Sequence, residues 1–298
     1  MLAWNDTVRG FQTRLLELKS PKTVESYLYA VRLWEIFLVE REVDLASAHP
    51  GLLDDFVRWM AKRGLGPQTI VSRCTGVNSW LKHLKRIGYK VPELMAPDLP
   101  KVLSKDPVVL SLDELRTFFE IVNELEEPQR TALTVMPLSG LRSEEVAKIS
   151  LSQLRVKDGW IIFTFIGKGG KERSVPMLKQ GNSIVRGYLT GWRANHRTKY
   201  VNDWLFPGHV SGKHVSTRTI RNWVSYVSKR MGVEELSPHV LRKTYTTMLD
   251  SMGVSPLMIA QLVGHSNLKT TSKHYVKHDV SSLMTSLAKV HVPGALAT

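Results

Sequence analysis

The sequence predicts a mainly α protein of two domains: an all-helical N-terminal one, and a larger, mostly helical one with a single small antiparallel sheet. Three observations predict it. Apolar residues recur at helical spacing along most of the chain. Strand-like runs are confined to residues 151–175. Residues 91–110 hold four prolines and no clear period, which marks an interdomain linker. The boundaries are therefore 1–95, a linker over 96–110, and 111–298. A length of 298 residues fits two domains of ordinary size.

In the first domain, Trp4, Val8, Phe11 and Leu15 mark a helix over 4–19. Ser20-Pro21 breaks and restarts the chain, with Pro21 at a first helical position. A longer amphipathic helix follows from Thr23, a third from Pro50-Gly51, and a fourth from Pro67. The fourth ends in a basic tail of Lys82, Lys85, Arg86 and Lys90, which reads equally as a phosphate-contacting face and as a solvated one.

In the second domain, Ser111 with Glu114 forms a capping-box pattern at a helix start. A helix over 128–138 ends at the Ser139-Gly140 turn, and a short one follows at Ser143–Ile149. Three short strands are expected at 151–156, 160–166 and 172–175. Lys157-Asp158-Gly159 is a hairpin turn between the first two. Helices resume at 179–194 and 216–231, with loop over 200–215. From Ser237 the chain is helical again, interrupted at Gly253, Gly264 and near Lys277, and a last helix spans 280–290.

Charge narrows the choice of partner. The formal net charge is +14, and it is uneven: 14 basic against 11 acidic residues in the first hundred, 27 against 16 in the rest. A basic domain favours a polyanion, with nucleic acid ahead of membrane. The single cysteine, Cys74, cannot form an intrachain disulfide and sits in a helical pattern as a small buried residue. The N-terminus has no basic-then-apolar signal pattern, and no run of 18 apolar residues exists. A cytoplasmic protein without a membrane segment is expected.

Several residues suit chemistry on a phosphodiester. Arg142 follows the Ser-Gly turn, and arginine matches phosphate oxygens two at a time. Glu145 lies three residues on, on the same helical face, and can orient it. Taken alone, the pair reads more readily as a surface arginine with a helix-cap glutamate. Gly167-Lys168-Gly169-Gly170 is too rich in glycine for an ordinary strand and is not a P-loop; it carries Lys168 on a hairpin. His239 and Arg242, three apart, project from one face of a helix started by Pro238. His274 and His278 have a spacing that could bind a metal, but no Cys, Asp or Glu ligand set accompanies them, so neither metal nor other cofactor is expected.

In order along the chain stand Gly-Leu-Arg-x-x-Glu at 140–145, the hairpin lysine, His-x-x-Arg at 239–242, Gly264-His265 with Thr270-Thr271, and Tyr275. Together they resemble the tyrosine recombinase family, the phage integrases and Xer-type recombinases. The N-terminal helices, with TVESYLYAVRLWEIFL and QTIVSRCTGVNSWLKHL, resemble its core-binding domain, so the match covers nearly the whole chain.

The resemblance implies a SAM-like core-binding domain and a catalytic domain forming a C-shaped clamp on duplex DNA. It implies that Tyr275 attacks the scissile phosphate and forms a 3′-phosphotyrosine. Arg142 and Arg242 clamp the non-bridging oxygens and His265 adds a hydrogen bond. His239 manages the tyrosine proton, and Lys168 protonates the departing 5′ oxygen. Tyr275 stands ten positions after His265, one more than the family's usual separation. Tyr245 is a rival tyrosine, at a position where the family has an aromatic packing residue.

The implied partners are double-stranded DNA with an inverted-repeat site and a homo-tetramer on two such sites, coupled through helix 280–290. Accessory DNA-bending or directionality proteins are a further implied class of partner. No arm-binding domain is expected before the clamp. A type IB topoisomerase and a catalytically silent DNA-binding relative are the alternative readings.

Overall fold

The computed structural model describes residues 4–102, 108–166, 172–196, 202–210, 212–264, 278–292 and 294. The chain divides into two compact units, Met1–Lys105 and Asp106–Thr298.

The first unit holds four helices, α1 (Trp4–Leu18), α2 (Pro21–Glu40), α3 (Leu52–Lys62) and α4 (Pro67–Arg86). The Ser20 hydroxyl accepts the Thr23 amide at 3.3 Å and Pro21 occupies the first turn, so the α1–α2 break is also a helix start. The core is aromatic. Phe56 meets Trp34 edge-on with ring centres 4.9 Å apart and lies 5.3 Å from Phe37. The Trp59 indole N–H donates to Glu40 at 3.0 Å and ties α3 to α2. Cys74 is buried, and burial pushes its thiol up to about 11, so it is packing rather than nucleophile. The basic residues at the end of α4 are exposed. After α4 the chain runs back along the start of α3: the Met95 amide donates to Pro50 O at 2.9 Å and the Asp98 amide to Asp54 Oδ1 at 2.8 Å.

The second unit is built on α6 (Gln129–Ser139), which is buried on every side from Thr131 to Ser139, as a helix at the centre of a domain is. Around it stand α5 (Leu112–Asn123), α9 (Thr217–Met231) and α10 (Pro238–Ser251). Ser111 and Glu114 cap α5 reciprocally: the Glu114 amide donates to the Ser111 hydroxyl at 3.2 Å, and the Ser111 amide to the Glu114 carboxylate at 2.7 Å.

The sheet has the order β1 (Leu154–Lys157), β2 (Trp160–Ile166), β3 (Glu172–Pro176), antiparallel throughout. Asp158 and Gly159, at φ 49° and 78°, make its first turn. The first strand starts later than the sequence predicts. The Gln153 side chain accepts the Ser150 amide at 2.9 Å and closes a 3₁₀ turn over Leu151–Gln153.

The helix expected over 179–194 is also broken up. A 3₁₀ turn at Lys179–Gly181 precedes α8 (Asn182–Tyr188), which widens into a π turn over Leu189–Arg193. The wider turn aligns residues five apart. It turns both Tyr188 and Arg193 toward residues 202–205: the Tyr188 hydroxyl donates to Leu205 O at 2.7 Å, and Arg193 donates to Asn202 O at 2.7 Å and Trp204 O at 3.2 Å.

After α10 come α11 (Pro256–Val263) and α12 (Val280–Leu287). The last helix is shorter than the expected 280–290. Its apolar residues Leu283, Met284 and Leu287 are buried on its own unit, and Gln180 donates to Val290 O at 2.9 Å where the helix has ended.

One turn sets the geometry of everything that follows. Gly140 closes α6 in the left-handed region at φ 63° and hands the chain to α7 (Ser143–Ala147). A Cβ at Gly140 would lie 2.3 Å from the Tyr245 ring of α10. Both facts demand glycine. Gly140→Ala is therefore expected to lower the unfolding free energy by about 1–3 kcal/mol, the range for overpacking a core. Urea unfolding checks it; unchanged stability would contradict the tight α6–α10 contact.

Candidate active site

Arg142 is the residue before the first turn of α7, and Glu145 is in that turn. The Glu145 carboxylate turns back and accepts the Arg142 amide at 2.8 Å, and the Arg142 guanidinium donates to it at 3.1 Å. The pairing expected from the sequence is thus made twice, by backbone and by side chain. The other side of the Arg142 guanidinium donates to Gly264 O at 3.2 Å. Arg142 keeps 45% of its side chain exposed.

Arg242 projects from the first turns of α10, whose start is fixed by Pro238 and by Ser237 accepting the Val240 amide at 3.3 Å. It is buried to 5% exposure. Its guanidinium donates to the carbonyls of Gly140 and Val263, and lies 4.0 Å from Glu145. Two of its five donors are thereby spent on backbone. Burial and the neighbouring Arg142 lower its pKa to about 10, which still leaves it charged at neutral pH.

Glu145 has another partner that sequence reasoning missed. Arg173, near the start of β3, donates to Glu145 Oε1 at 2.9 Å and to Val263 O at 3.2 Å. The signal was strand alternation. Arg173 and Val175 share a face, and Val175 is fully buried, so an arginine two residues earlier on that face points toward the interior.

His239 is exposed, one helical turn from Lys243. Partial desolvation, then Lys243, Arg242 and Arg142, hold its pKa below the ordinary histidine value. The ring is neutral at pH 7 and able to accept a proton. Tyr245 is wholly buried, and burial pushes its phenol far up, so it has neither access nor acidity for nucleophilic work.

Arg142, Arg242 and Glu145 are thus brought together beside the C-terminal end of α11. Lys168, His265 and Tyr275 lie outside the described residues. So does His274 of the histidine pair; among the described residues no cluster of three metal-ligating side chains occurs. Three guanidiniums around one carboxylate leave a surplus of positive charge, an arrangement made to receive an oxyanion.

A mostly helical unit with one small antiparallel sheet is the fold of solved site-specific recombinases. The fold matches XerH site-specific recombinase bound to difH substrate in a pre-cleavage complex, with TM-score 0.68, 19% identity, and coverage of 88% of this chain and 78% of that one. It also matches a lambda integrase(75-356) dimer bound to a COC′ core site, with TM-score 0.66, 13% identity, and coverage of 94% and 99%. In sequence the chain is 27% identical over 284 residues to tyrosine recombinase XerD of Pseudomonas putida, covering 92% of each. Residues 108–282 match the phage integrase family, and the chain belongs to it.

Removing Glu145's charge leaves buried guanidiniums without their shared partner. Glu145→Gln is expected to cost about 3 kcal/mol of stability, as for a broken buried ion pair. Sodium sulfate should restore more of this loss than sodium chloride at equal ionic strength. Wild-type stability in Glu145→Gln would contradict the central role of the carboxylate.

Proposed function

We propose that this chain is a site-specific DNA recombinase that cuts and rejoins strands through a covalent 3′-phosphotyrosine. The observation that carries the reading is the gathering of Arg142 and Arg242 around Glu145, at the end of α11 and two residues before His265 in the sequence. In the proposed reaction the scissile phosphate sits on that centre. The guanidiniums neutralise its non-bridging oxygens, where charge builds in the transition state, and His265 adds a further donor.

Tyr275 is the nucleophile. Its oxygen bonds to phosphorus, its proton goes to His239, and the bond from phosphorus to the 5′ oxygen breaks. Lys168 supplies the proton that leaves with that oxygen as a 5′-hydroxyl. A 5′-hydroxyl from the partner strand then reverses the step and releases the tyrosine. The phosphotyrosine keeps the bond energy, so the sequence needs no nucleotide cofactor.

The unit at 1–95 serves as a DNA clamp through its basic helical faces, with the 96–110 segment joining it to the catalytic unit. Most of the affinity comes from phosphate contacts and falls with salt. The DNA carries an inverted-repeat site, and four protomers assemble on two sites in the cytoplasm. Accessory bending or directionality proteins belong to the same proposal. The apolar face of α12 is occupied within its own unit. Coupling protomers through this segment therefore requires that face to be released on DNA, and deletion of 280–298 should weaken assembly on paired sites more than binding to one.

The test uses a nicked duplex bearing the sequence that the full-length protein selects from random-sequence DNA. A covalent adduct is expected that disappears with Tyr275→Phe and persists with Tyr245→Phe. Adduct surviving Tyr275→Phe would sink the nucleophile assignment, and equal relaxation of unrelated DNA would favour a topoisomerase.

A pH profile tests His239. Its neutral form is the proton acceptor, so cleavage is lost as pH falls through its depressed pKa. The acid limb should lie below the ordinary histidine range, and Lys243→Gln, which removes a neighbouring charge, should move it to higher pH. A limb unmoved by both Lys243→Gln and His239→Gln would exclude this role.

A further inference from the structure

The cluster contains one guanidinium that faces inward. Arg173 is 16% exposed at its side chain, against 45% for Arg142. One prong meets Glu145 Oε1 at 2.9 Å, the oxygen that Arg142 also uses at 3.1 Å. The other meets Val263 O at 3.2 Å. Its stem lies beside Phe165 of β2, with the guanidinium carbon 5.2 Å from the ring centre.

The place of these contacts matters. Val263 ends α11, and its carbonyl is one of the acceptors that a helix C-terminus leaves without an intrahelical donor; Arg242 also donates to it. Gly264 follows at φ 67°, and a Cβ there would lie 2.0 Å from Arg173 Nη1. Residue 264 and Arg173 therefore fit each other only if 264 is glycine. His265 is the next residue in the chain, while Arg173 follows Lys168 by five positions in the sequence.

Building on the recombinase reading, we propose that Arg173 is a positioning residue for strand cleavage. It holds one oxygen of Glu145 and the end of α11 at a fixed separation. With Arg173 in place, Glu145 Oε1 is divided between two guanidiniums. Without it, that oxygen belongs to Arg142 alone, which is drawn onto the carboxylate and away from a phosphate. The Val263 carbonyl also loses one of its two guanidinium donors and keeps only that of Arg242, which loosens the turn at Gly264. Lysine cannot replace Arg173, because a single ammonium does not span the two acceptors.

The test measures single-turnover adduct formation by full-length Arg173→Ala and Arg173→Lys at saturating DNA, on the selected nicked duplex. The expected result is a rate constant reduced ~10²-fold in Arg173→Ala, the scale for a displaced reacting group. Arg173→Lys stays slow, although its charge is kept. DNA affinity and the fraction of protein that reacts remain as in wild type, which a merely structural defect would not allow.

Replacing the bridging 5′ oxygen by sulfur adds a second readout. Sulfur leaves without an acid, so it should relieve Lys168→Ala but not the Arg173 variants. Combining Arg173→Ala with Glu145→Gln should slow cleavage little beyond either change alone. A wild-type rate constant in Arg173→Lys overturns the proposal, as does a loss confined to affinity or reacting fraction, or a deficit erased by sulfur. If Arg173→Ala does not fold, Arg173→Lys decides alone. Absence of adduct from the wild-type protein on any DNA is a different failure, that of the recombinase reading itself.

Discussion

The carboxylate of Glu145 is the interaction on which the centre of the second unit depends. It accepts the Arg142 amide and side chain and the Arg173 side chain, and lies within ion-pair distance of Arg242. Those groups come from the start of α7, from β3 and from α10. Like charges placed this close repel, and burial adds a desolvation penalty to Arg173 and Arg242. One carboxylate offsets part of that cost and leaves the remainder as surplus positive charge. The same imbalance that strains the free protein suits it to a phosphate.

The arginines divide the work. Arg242 is a buried pillar: its contacts to the Gly140 and Val263 carbonyls join the α6 turn to the end of α11. Arg142 is the open arm, with nearly half its side chain in solvent. Arg173 braces the two from behind. The C-terminal carbonyls of α11, which carry the negative end of its dipole, are the common anchor for all three. The segment that follows, with His265 and Tyr275, thus departs from a point fixed by side chains far apart in sequence.

Much of this was legible in the sequence, for local reasons. Helix starts were visible because Ser20-Pro21, Ser111 with Glu114, and Ser237-Pro238 cap through residues next to one another. Arg142 and Glu145 were visible because three residues on one helix determine their meeting. What escaped depends on distant partners. The π turn after α8 exists because residues 202–205 demand both Tyr188 and Arg193. The late start of β1 follows from a side chain closing its own turn at Gln153. Arg173 escaped because Lys168, in the glycine-rich stretch of sequence just before it, drew the chemical reading. Its partners lie 28 and 90 residues away.

The central claim is that this cationic centre activates a phosphate for attack by one particular tyrosine. The most direct measurement digests the protein–DNA adduct trapped on a nicked duplex and maps the nucleotide-bearing peptide by mass spectrometry. The account predicts a nucleotide joined through its 3′ phosphate to Tyr275. A link at any other residue, or through a 5′ phosphate, would contradict it.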